Sequence, residues 1–114
     1  MTETNLQEVL ALVSDVYLVK PEHVITKCRI QPLPEARAVI CYIAAKYKLG
    51  TQETVADFLN LKRSNVSQQV DKITDWRRIE PQLDYYLSRI EEYLDRPNIE
   101  PYYVMAAVLG GYNE

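Results

Sequence analysis

Residues 51–73, TQETVADFLNLKRSNVSQQVDKI, constrain the fold more than any other stretch, because they read as a helix, a tight turn and a second helix. Val55, Phe58 and Leu59 recur at helical spacing, and Ala56 stands where two helices can approach closely. Asn60 falls where the turn needs a left-handed backbone, a conformation that Asn tolerates better than most residues. Leu61 then plugs the turn from below. Arg63, Ser64 and Asn65 open the second helix, Val66 and Val70 face inward, and Ser67, Gln68, Gln69 and Lys72 face out. An outer face that is polar and basic suits hydrogen bonding to phosphates and to base edges in a major groove. The alternative is a helical hairpin inside a bundle. Its solvated face would more usually carry Glu–Lys pairs, whereas Arg63, Ser64, Asn65, Ser67, Gln68 and Gln69 include no acid.

The chain of 114 residues is expected to be one domain with a modest core, short for a catalytic cleft. Its net charge of −3 argues against a polyanionic partner until the distribution is considered. Residues 20–78 carry eleven basic against six acidic side chains, while residues 79–114 carry two against seven. Local potential rather than net charge steers a polyanion, so this basic middle keeps nucleic acid in play. Cys28 and Cys41 are far apart, with no CxxC and with His23 the only histidine, so neither zinc nor a disulfide framework is indicated. No apolar run approaches the roughly 20 residues that span a bilayer, and no leader is evident, so a reduced cytoplasmic protein is expected.

Taken in order, residues 4–17 carry Leu6, Val9, Leu10, Val13, Val16 and Tyr17 as one stripe, with Thr4 or Asn5 as N-cap. Pro21 and Glu22 open a short helix that ends near residues 26–29. Pro32 and Pro34 interrupt helix, leaving Lys27 and Arg29 beside a rigid loop. Residues 34–47 form the expected central helix, with Ala36, Val39, Ile40, Ile43, Ala44 and Tyr47 inward and Glu35, Arg37, Lys46 and Lys48 at its edges. Leu49-Gly50 is expected to close it by a glycine cap, and Thr51 to cap the next helix. Trp76 is expected to anchor packing while Arg77 and Arg78 reach phosphates. Residues 81–94 give an amphipathic helix with an acidic back, Glu91 and Glu92 reading as solvated, and residues 99–109 give a last short helix in a Tyr-rich tail. No Gly-rich phosphate loop, repeat or catalytic constellation is visible, so no enzyme activity and no cofactor are expected.

The order of Thr26-Lys27-Cys28-Arg29, a loop, Ala36-Arg37 opening an apolar helix and Arg63-Ser64-Asn65-Val66 opening another resembles the C-terminal DNA-binding domain of the DnaA family, over residues 16–73. The resemblance implies an all-α, Trp-repressor-like helix-turn-helix fold that binds double-stranded DNA, standing alone without an ATPase segment, with residues 80–114 as a helical extension. It implies that Arg29 enters the minor groove and that Arg37 touches the backbone, with Ser64 and Asn65 matching a hydroxyl pair that begins the recognition helix, here residues 63–73. Lys62-Arg63 stands where the family has Asp-His, and the turn is one residue shorter, so the family's base preference does not carry over. The expected site is Arg63, Ser64, Asn65 and Gln68 on bases, Lys27, Arg37, Lys62 and Lys72 on phosphates, and Arg29 in the minor groove. Transcriptional and replication-related control both fit such a domain. Left open are a protein-interaction module keeping the same fold and a homodimer formed through the C-terminal helices.

Overall fold

The computed structural model describes residues 5–26 and 29–95, which form six helices and, among the described residues, no strand. The all-α expectation holds. Helix α1, Leu6–Tyr17, begins where Asn5 Oδ1 accepts the Glu8 N–H at 2.9 Å, and it buries Leu6, Val9, Leu10, Val13 and Val16 as the stripe requires. Leu12 is buried as well, so the inward face is wider than one stripe. The short α2, Pro21–Val24, places its proline in the first turn, where an amide donor is not needed, and ends at Val24, earlier than expected. Lys27, Cys28 and the tail helix expected at residues 99–109 lie outside the described residues.

Helix α3, Leu33–Lys46, is the axle of the fold and packs against α1, α2, α4 and α5. Ala36, Ala38, Val39, Ile40, Cys41, Ile43 and Ala44 are all buried, so α3 is apolar nearly all round, as a central helix must be. Tyr47, expected inward, is half-buried and packs at the edge of this core. Burial pushes the Cys41 thiol up to about 12, so it serves as a small apolar filler and not as a nucleophile at neutral pH.

The next helices, α4 at Gln52–Leu59 and α5 at Arg63–Ile79, realise the expected hairpin. Thr51 Oγ1 caps α4 by accepting the Thr54 N–H at 3.1 Å, and Val55, Ala56 and Leu59 are buried. Asn60 adopts φ 59° and ψ 44°, the left-handed turn that its side chain suggested. The Leu61 N–H closes the turn on the Ala56 carbonyl at 2.8 Å.

The expected glycine cap of α3 is corrected: the left-handed residue is Lys48, at φ 54°, and no glycine among the described residues has positive φ. The Leu49 N–H reaches back to the Ala44 carbonyl at 2.9 Å, which completes the cap before Gly50 is reached, with the left-handed residue two positions earlier. A left-handed L-residue costs about 1–2 kcal/mol, against roughly 0.5–1 kcal/mol of added unfolded-state freedom for glycine. Lys48→Gly is therefore expected to raise stability by about 0.5–1 kcal/mol, read as a higher urea midpoint at unchanged slope.

Helix α6, Pro81–Asp95, buries Leu83, Leu87, Ile90 and Leu94 in the same core cluster as α1 and α3. Its acidic back is not wholly solvated. Glu91 is only 8% exposed, and it receives the Arg77 guanidinium on both carboxylate oxygens at 2.8 Å and Lys46 Nζ at 2.6 Å. Arg77 also donates to Asp84 at 2.6 Å and to the Tyr42 hydroxyl at 3.1 Å. The expectation that Arg77 reaches phosphates is thus overturned: its donors are spent on tying α5 to α3 and α6. Trp76 packs half-buried against the core, as an anchor should.

Candidate nucleic-acid interface

The left-handed turn at Asn60 aims the start of α5 outward, while Pro34 in the first turn of α3 stands across from it. Between them lies an open groove of about 670 Å³. Arg29 and Pro34 form one wall; Asn60, Leu61 and Lys62 form the turn end; Asn65, Gln69 and Lys72 line it along one face of α5. Arg29, Lys62, Asn65 and Lys72 were all expected at the site, and the fold brings them together from segments more than thirty positions apart in sequence.

The electrostatics of this groove are one-sided. Arg29 and Lys62 are exposed, and Arg63 beside them is exposed too; none of the three has an ion-pair partner among the described residues. Lys46, Arg77 and Arg89, by contrast, are each neutralised by a carboxylate. Lys72 Nζ sits 4.5 Å from the centre of the Trp76 ring, a cation–π contact that holds the charge over the groove wall without cancelling it. The first turn of α5 contains no acid, and no side chain caps it, so the positive end of the helix dipole faces the same opening.

The remaining expected residues are placed differently. Arg63, Ser64 and Gln68 are exposed on the solvent side of α5, next to the groove but not lining it. Gln69, which lies four residues beyond Asn65, lines the groove instead and had not been singled out over Gln68. Asp71 and Asp75 are exposed farther along α5, which confines an anion-accepting surface to its first two turns and Lys72.

Arg37 requires the clearest correction. It was placed at the edge of α3, but it is 7% exposed, and Nη1 donates to the backbone carbonyls of Val24 at 3.0 Å and Thr26 at 2.5 Å. A guanidinium is well suited to this, since its several donors satisfy carbonyls left over at the end of α2. Arg37 therefore fixes the backbone at Val24 and Thr26 and forms part of the groove's lining.

The chain is similar to DnaA. It is 31% identical over 72 residues to the chromosomal replication initiator protein DnaA of Campylobacter concisus (strain 13826), and 29% identical over 72 residues to that of Campylobacter curvus (strain 525.92). Each match takes in 62% of this chain but only 16% of the relative, so the chain spans about a sixth of the length of the curated relatives it matches. No protein-family model matches the chain, and no solved structure does.

Proposed function

We propose that this domain binds double-stranded DNA, performs no chemistry on it, and reads sequence through the first turns of α5. The observation that carries this reading is the groove in which Arg29, Lys62, Asn65, Gln69 and Lys72 converge at the uncapped start of that helix. A major groove roughly 12 Å wide admits a helix end of this kind, with amide side chains directed at base edges and cations at the flanking phosphates. Asn65 is the foremost base reader, since an Asn amide pairs in bidentate fashion with adenine, and Gln69 one turn on has the same chemistry. Arg63, Ser64 and Gln68 border this contact, Lys27, Lys62 and Lys72 hold phosphates, and Arg29 on its loop reaches the adjoining minor groove. Arg37 acts on DNA indirectly, by fixing the backbone at Val24 and Thr26 beside the groove.

The similarity to replication initiator proteins supports a replication-related role, with transcriptional control by the same contact as the other use of a sequence-reading domain. Selection from a pool of random duplexes tests the reading: bound duplexes should share a short motif. Asn65→Ala should relax one position of that motif, at a cost of about 1–3 kcal/mol against the preferred base. A pool that emerges unenriched would refute sequence reading, and equal enrichment with Asn65→Ala would remove Asn65 from it.

A further inference from the structure

The face of α5 that lines the basic groove does not end at Lys72. Steps of three and four residues carry it on to Trp76 and Glu80, where a second groove of about 480 Å³ opens with the opposite character. Its walls are aromatic. The Tyr17 and Tyr86 rings meet edge-to-face at 5.8 Å between centroids, Trp76 stands opposite on α5, and Pro32 and Leu83 complete the apolar lining. Its charges are two carboxylates and no cation: Glu35, which accepts the Tyr17 hydroxyl at 2.5 Å, and Glu80, exposed and without an ion-pair partner among the described residues.

Aromatic faces beside carboxylates form the recognised chemistry for a cation, and they repel phosphate. Trp76 already takes one cation, that of Lys72 at its other neighbour along the helix. Among cationic side chains, arginine fits best, because its planar guanidinium stacks on a ring while donating in parallel to a carboxylate. The groove has the size of a pocket that takes a side chain with flanking backbone. We infer that this groove docks an arginine from a basic segment of a partner protein. The domain then carries adjacent surfaces of opposite sign, one for a polyanion and one for a basic arm, on a single face of α5.

The test uses the full chain without DNA and a Gly-Ser peptide, capped at both ends, whose only charges are two arginines, compared with the same peptide bearing lysine or norleucine at those positions. The indole N–H of Trp76 gives one resonance in a ¹H–¹⁵N spectrum, because the chain has a single tryptophan. The arginine peptide should shift that resonance saturably, the lysine peptide should bind more weakly, and the norleucine peptide should leave it in place. Glu80→Gln, an exposed change at the end of α5, should keep the helical circular dichroism and weaken the arginine peptide about fivefold. Equal binding of the norleucine peptide, shifts confined to other acids such as Glu53 and Asp57, or undiminished affinity with Glu80→Gln would each overturn the inference.

Discussion

Replacing Arg29, Lys62 and Lys72 together by alanine is expected to lower affinity for duplex DNA by about two to three orders of magnitude near 0.1 M salt. Each cation that neutralises a phosphate releases condensed counterions and adds about 0.9 to the slope of log affinity against log salt, so the triple variant should lose about two to three from that slope. The two proteins should therefore converge as salt approaches about 1 M, where counterion release no longer favours binding. Fluorescence anisotropy across a salt series reads all of this. All three side chains are exposed and take no part in an ion pair among the described residues, so folding should survive their removal. A loss of affinity that is the same at every salt concentration would mean that the groove does not hold phosphates.

The other large effect belongs to the fold. Arg77→Ala removes the bidentate partner of a carboxylate that is 8% exposed, leaving Glu91 with only the half-exposed Lys46. Breaking such a pair costs about 3–5 kcal/mol, because the surviving charge stays desolvated, and for a domain of this size that lowers Tm by about 10–20 °C. The double variant Arg77→Met with Glu91→Leu should recover most of the loss, since an apolar pair leaves no orphaned charge. Burial pushes the Glu91 carboxyl up, but the hydrogen bonds from Arg77 and Lys46 outweigh burial and hold it below its ordinary value of 4.5. A carboxyl depressed in the folded state contributes stability that is present above its ordinary value and is lost as pH falls through the lowered one. Chemical denaturation should thus show stability falling below about pH 4.5 in the parent, with a shallower fall in Arg77→Ala. A change of less than about 1 kcal/mol at neutral pH would show that the network is as weak as an exposed ion pair.

Part of this architecture is legible in the sequence, and part is not. Local chemistry was legible: Asn5, Pro21, Thr51 and Pro81 each start a helix where their own side chains favour one, and Asn60 takes the left-handed turn. The apolar stripes of α1, α3 and α6 were legible because periodicity reports burial directly. Periodicity fails for a charged residue whose partner comes from elsewhere. Arg37 reads as an edge residue because nothing in its own helix shows that the end of α2 delivers two carbonyls to it. Arg77 and Glu91 are fourteen residues apart across the break at Pro81, and only the packing of α6 against α5 and α3 makes them a pair. The choice between Gln68 and Gln69 is one step of rotation on the same helix, and it is decided by where Arg29 and the start of α3 lie, which α5 itself does not encode. Gly50 was the obvious cap, yet the chain turned two residues earlier, because Leu49 closes on Ala44 once Lys48 accepts the left-handed conformation.

The most direct test is a ¹H–¹⁵N chemical-shift map of the full chain titrated with a selected duplex. The expected result is a contiguous patch comprising Arg29, Asn60, Lys62 to Gln69 and Lys72, with α6 and the Asp71–Asp75 side of α5 undisturbed. Shifts centred on α1 or α6, or none at duplex concentrations that saturate a specific domain, would contradict DNA binding at the start of α5.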